Sequence, residues 1–263
     1  MVYQNLLFDV RDAVARITIN RPAQLNAIDI ATARELFHVA NRCSSEPSIR
    51  AVVLTGAGER AFSCGGDVPA FAADPEHIDL LLKEMTGYLH LAISRLARLN
   101  APVIAAVNGT AAGAGLGLMA AADLAIAADT ANFTSAYTKI GLTPDGSSTY
   151  FLSRIIGRRR AMEMFLSNRM LSAEEALDWG MVNRIVPAAS LSAEVDKLAA
   201  QLASGPTLAY AGAKRLVQSA FDESLETQME FEAQSIAAMS RTRDGLEGVR
   251  AFAKKEKPRF TGS

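Results

Sequence analysis

Cysteine is scarce: Cys43 and Cys64 are the only two in a chain of 263 residues. They lie far apart and form no Cys-x-x-Cys pair. That excludes a disulfide framework or a zinc–cysteine site and makes a reducing, cytoplasmic setting the expectation. An excess of charge is also missing, with 27 Lys and Arg against 28 Asp and Glu. Without a basic field, nucleic acid is not the expected partner. The three histidines, His38, His77 and His90, have no ligand spacing, so no metal is expected. The N-terminus has no basic segment followed by an apolar run, and no signal peptide is read there. Residues 101–128 are apolar enough to suggest a membrane span. Pro102, Asn108, several glycines and Asp123 break that stretch into a strand, a turn and a helix, so no membrane contact is expected.

What is present is a largely aliphatic chain, 49% hydrophobic with 6% aromatics, enough for one large α/β domain or a core with a helical appendage. The β-branched run VARITIN at 14–20 predicts a strand, and AVVLT at 51–55, 103–107 and 124–128 predict buried strands. Helical spacing of apolar residues covers 30–43 and 77–99, and a buried helix with a glycine-rich first turn is expected over 113–121. Alternation of strands and helices points to a repeated βαβ architecture with parallel pairing. From about Leu191 strand signals stop, and 191–203, 207–220, 223–240 and 245–254 are helix candidates. The expected organisation is therefore an α/β core over 1–189 and a helical C-terminal region over 190–263. No internal sequence repeat is evident.

Two loops offer backbone amides for chemistry. Ser63-Cys64-Gly65-Gly66 follows an apolar strand region, and its adjacent glycines can aim N–H groups into a cavity. Ala112-Gly113-Ala114-Gly115 opens the buried helix, where unpaired N–H groups attract developing negative charge. Two such donors on one oxygen make an oxyanion hole. The second loop is neither a dinucleotide fingerprint nor a P-loop.

Several separated motifs then occur in one order: NRPAQLNA at 20–27, AFSCGGD at 61–67, APVIAAVNG at 101–109, AAGAGLGL at 111–118 and LSAEEALDWGMVNRIVP at 171–187. Together they resemble the crotonase superfamily, the enoyl-CoA hydratase/isomerase enzymes, from about residue 3 to Phe260. The resemblance implies a ββα spiral core, a helical tail that packs trimers or dimers of trimers, and an acyl-coenzyme A substrate with no permanently bound cofactor. It assigns the oxyanion hole to the backbone N–H groups of Cys64 and Ala114. Coenzyme A contacts are expected from Arg21, Leu25, Ala27, Gly65, Gly66, Asp67, Gly113 and Phe260. Lys254, Lys255, Lys257 and Arg259 are further candidates for its phosphates.

Hydratases of the family use two glutamates, and the matching positions here are Gly117 and Tyr137. Neither is a carboxylate, which disfavours hydration. Asp145, in GLTPDG at 141–146, is the available carboxylate, although Pro-Asp-Gly is also a common turn and Asp a common residue near helix starts. By resemblance to the one-carboxylate isomerases of the family, Asp145 is the expected base of an enoyl-CoA double-bond isomerase, with Tyr137 shaping the pocket. Residues 158–187 are also similar to aryl-CoA dehalogenases. That alternative makes Asp145 a nucleophile and His90 its base. A catalytically inactive acyl-CoA binder is the non-enzymatic alternative.

Overall fold

A computed structural model describes residues 3–263. Strands β1 (Leu6–Arg11) and β2 (Val14–Ile19) form an antiparallel hairpin. They are followed by β3 (Ala51–Gly56), β4 (Ala61–Ser63), β5 (Val103–Val107), β6 (Thr110–Ala112), β7 (Leu124–Ala128), β8 (Asn132–Thr134), β9 (Leu171–Ser172) and β10 (Arg184–Val186). Two sheets result, of order β1-β2-β3-β5-β7-β10 and β4-β6-β8-β9. Pairing from β2 through β10 in the larger sheet is parallel, as is β4-β6-β8 in the smaller.

The repeating unit is ββα rather than βαβ. Each of β3/β4, β5/β6 and β7/β8 puts its first strand in the large sheet and its second in the small one before a helix returns. Successive turns therefore stack as a spiral. The short second strands are what the sequence reading missed: at three residues each they carry no periodicity.

Helix α1 (Ile30–Ser45) starts at Asp29, whose carboxylate accepts from Thr32 N–H. It buries Leu36, Val39 and Ala40 against the core beside α3 (Ile78–Ala97), which follows the short α2 (Val68–Ala72). Helix α4 (Ala114–Ala120) is buried along its whole length, and its glycines are there for close approach. A Cβ on Gly115 would lie 2.3 Å from the Ser63 carbonyl oxygen, and one on Gly117 would lie 2.2 Å from that of Gly146.

Helices α5 (Ser148–Ile155), α6 (Gly157–Ser167) and α7 (Ala173–Asp178) complete the spiral. Beyond the boundary expected at 190 come α8 (Leu191–Ala203), α9 (Thr207–Ser219), α10 (Leu225–Met239) and α11 (Arg243–Lys254). Of these, α8 covers the outer face of the large sheet, packing Leu191, Val195 and Ala199 on Val53, Ile104 and Ile126. Among the described residues no helix is long and apolar enough to cross a membrane.

Candidate active site

A cavity of about 370 Å³ opens between the two glycine loops, α3 and the segment 136–145. Its lining is mainly apolar, with Val68, Phe71, Leu82, Met85, Ile140 and Leu142 among the residues around it. Cys64, Gly66, Gly113 and Ala114 of the glycine loops line it, as do Tyr137 and Asp145.

The loop lining is held by groups far apart in sequence. Asn26 is 1% exposed and sits at φ 56°, strained for a residue other than glycine. Its Nδ2 donates to the carbonyls of Ala57 and Ala61, and its Oδ1 accepts from Arg21 N–H. Ser63, also buried, donates its hydroxyl to the Asn26 carbonyl and accepts from Gly65 N–H. Sequence reasoning passed over both residues, although a buried polar side chain at the end of an apolar run is where a loop is tied down.

This clamp corrects the oxyanion assignment. The N–H of Cys64 donates to the Leu25 carbonyl at 3.1 Å, so it is not available to a ligand. Among the described residues, the N–H of Gly66 has no acceptor, and neither has that of Ala114. Gly66 and Ala114 are thus the amides that the two glycine loops leave free at the cavity. Gly65 makes the approach of the two loops possible: its φ is +87°, and a Cβ there would lie 2.9 Å from Ala114 N. The Cys64 thiol is pushed above its ordinary pKa by burial, which leaves it a neutral, unactivated group.

Several residues expected at coenzyme A are engaged elsewhere. The Arg21 guanidinium lies 2.9 Å from Asp67 and 3.2 Å from Asp29, and it donates to the Ala27 carbonyl at 2.7 Å. Arg21 and Asp67 therefore fasten one loop to the other, and Asp67 also caps α2. Arg21, Leu25, Ala27 and Asp67 do not line the cavity. Nor does Phe260, whose carbonyl accepts from Arg50 and whose ring lies against Gly248 of α11. Lys254, Lys255, Lys257 and Arg259 are exposed in the C-terminal segment.

The turn to α5 presents Asp145 at the same cavity. The helix-start role that its sequence position allowed is not the one it plays. Ser147 is the N-cap residue of α5, and no side-chain cap is made. The Asp145 carbonyl instead receives Ser148 N–H at 3.1 Å and Ser148 Oγ at 2.7 Å, which fixes the backbone and leaves the carboxylate projecting. Tyr137 Oη donates to Oδ1 of that carboxylate. The Tyr137 hydroxyl is pushed far above its ordinary pKa, first by burial and then by the negative charge of Asp145, so it stays a donor.

On the other side, His90 Nε2 lies 3.9 Å from Asp145 Oδ2 and accepts Gly146 N–H at 3.2 Å. With Nε2 as the acceptor, Nδ1 is the ring nitrogen left to donate. The structure thus brings Tyr137, Asp145 and His90 together. It also closes the first glutamate position of the hydratases, because the backbone of Gly146 fills the space beside Gly117. Among the described residues no cluster of His, Cys, Asp or Glu could hold a metal.

The model of the enoyl-CoA hydratase/isomerase family matches residues 9–263, and the chain belongs to that family. It is 39% identical to the 1,2-epoxyphenylacetyl-CoA isomerase of Escherichia coli K12, over 98% of both chains. It is 41% identical to a 4-chlorobenzoyl coenzyme A dehalogenase of an Arthrobacter species, over 86% of this chain and 82% of that one. The crystal structure of an enoyl-CoA hydratase from Bacillus anthracis superposes with a TM-score of 0.93 at 32% identity, covering 99% of this chain and all of the other. These relatives, named for three different reactions, all act on coenzyme A thioesters.

Proposed function

We propose that this member of the family is an enoyl-CoA isomerase that moves a double bond with a single carboxylate, Asp145. The observation that carries the reading is one carboxylate and two free loop amides lining the same apolar cavity, with backbone filling the position of a second acid. The thioester oxygen sits on the N–H groups of Gly66 and Ala114. Each donor of this kind contributes roughly 2.7–4 kcal/mol once the oxygen becomes an oxyanion. Asp145 takes a proton from C2 of a 3-enoyl-CoA, and the C–H electron pair flows into the dienolate. The protonated Asp145 returns the proton to C4, leaving the double bond between C2 and C3. One base serves both transfers, so no activated water is required. The identity to a relative that bears the name isomerase supports the same reading.

A second reading, aryl-CoA dehalogenase, draws on the closeness of His90 to Asp145. It needs His90 as a base, and Nε2, the ring nitrogen near Asp145, already accepts Gly146 N–H. The test is turnover of a 3-enoyl-CoA, read as the absorbance of the conjugated thioester, beside halide release from 4-chlorobenzoyl-CoA. Conjugation without halide release supports the isomerase, and the reverse result replaces it.

We also propose self-association into trimers through the C-terminal helices. Leu225, Ile236, Leu246, Val249 and Phe252 are all more than 60% exposed in the single chain, which leaves a large apolar surface on α10 and α11. Sedimentation equilibrium reads the assembly directly, and a monomer at micromolar concentration would refute it.

A further inference from the structure

Asp145 lines a second cavity besides the one that holds the amides, and no other residue lines both. The second cavity, of about 490 Å³, lies behind the turn and differs in chemistry from the first. His90, Ser94, Arg98, Ser147, Thr149 and Gln218 supply polar groups to its wall. It reaches the surface, since Arg98, Thr149 and Tyr150 are exposed and the His90 side chain is 51% exposed. The carboxylate of Asp145, by contrast, is 24% exposed and offers one oxygen to each side. Oδ1 takes the Tyr137 hydroxyl of the front wall, and Oδ2 faces His90 at the rear.

From this placement we infer that Asp145 is a partition between an acyl cavity and a solvent cavity, and that the proton it removes from the substrate exchanges with water at the rear before it is returned. The inference rests on the isomerase reading. The front cavity is apolar and is filled by the acyl group during the reaction, so it offers the protonated carboxyl no water. The rear cavity carries the larger share of polar groups, reaches the surface and has only Asp145 in common with the acyl cavity. Rotation about the Cβ–Cγ bond of an aspartate is a soft, roughly two-fold torsion, so the proton can be carried from one face to the other. The balance is simple: the carboxyl proton leaves to water, a solvent proton replaces it, and that one is delivered to C4. A sealed base would return the substrate's own proton.

The experiment runs the reaction in D2O with an unlabelled 3-enoyl-CoA and reads both the conjugation rate and the deuterium at C4 of the product. Ser94→Phe and Thr149→Phe narrow the rear cavity from two different helices, and neither residue touches the front cavity. The wild type is expected to place deuterium at C4 in at least about half of turnovers. Each variant should lower that share by about threefold or more while conjugating within about twofold of the wild-type rate. Protium at C4 throughout in the wild type overturns the inference, as does label that neither variant lowers. Absence of conjugation would instead strike the isomerase reading. Deuterium exchange at C2 of butanoyl-CoA, which needs only the amides and the base, then decides the inference: exchange lowered in the variants upholds it, and exchange unchanged or absent overturns it.

Discussion

The two walls of the acyl cavity are built in opposite ways. The amide wall, formed by residues 63–66 and 113–115, is backbone set into the core: Ser63 is fully buried, Ala114 is 2% exposed, Cys64 and Gly66 are half-buried, and the loops touch through glycine. The base wall, residues 137–148, is a surface turn with Lys139, Ile140 and Gly141 exposed. It is held by the hydroxyls of Tyr137 and Ser148 and by αL backbone at Gly141, Gly146 and Ser147. The difference is one of purpose. Two rigid amides suit any thioester whose carbonyl becomes an enolate, whereas the chemistry done to that enolate depends on which side chain the turn presents. Relatives at about 40% identity that bear the names isomerase and dehalogenase fit such a division.

Removing the acting group of the base wall should have the largest effect. Asp145→Ala is expected to lower conjugation of a 3-enoyl-CoA by about 10²–10⁴-fold with thioester binding retained. Calorimetric titration with a saturated acyl-CoA checks the second half. Gly65→Ala attacks the amide wall instead, through its positive φ and its contact with Ala114 N, and should reduce turnover by about 10²–10³-fold. If that variant kept wild-type turnover, the amide wall would not be the rigid element described.

Stability should also divide along the same line. Asn26→Ala leaves the Ala57 carbonyl and the Arg21 amide without their partner, while the Ala61 carbonyl keeps only Asn108, and is expected to cost about 2–3 kcal/mol in urea unfolding. Tyr137→Phe removes the hydroxyl that donates to both the carboxylate and the carbonyl of Asp145. It should lower kcat by about tenfold, equivalent to about 1.4 kcal/mol, and barely move KM. Cys64→Ala should do least. The thiol is neutral and the residue serves through its main chain, so turnover within about twofold of wild type is expected. A large loss on that substitution would put a side chain into the amide wall.

Much of the amide wall could be read in advance because glycines and apolar runs are local signals. Strands 103–107 and 124–128 and helix 191–203 were placed to the residue, since each is apolar and bounded by Pro, Asp or Ser. The donor itself was misplaced. Whether Cys64 or Gly66 keeps a free N–H depends on the carbonyl of Leu25, which sits nearly forty residues earlier in the chain. The partner of Arg21 was hidden for the same reason, because Asp67 lies 46 residues further along the chain. Asp145 was legible as a carboxylate in a turn. Its neighbours were less so: Tyr137 and His90 come from different turns of the spiral, and the second cavity behind them exists only once α3, α5 and α9 are packed.

The division between the walls is tested most directly by the carbonyl stretch of a bound acyl-CoA thioester that cannot isomerise, recorded by difference infrared spectroscopy. Amides that polarise the carbonyl should lower its frequency in the wild type and equally in Asp145→Ala, and the shift should vanish in Gly65→Ala. A shift lost with Asp145→Ala, or kept in Gly65→Ala, would contradict the assignment of carbonyl activation to the Gly66 and Ala114 amides alone.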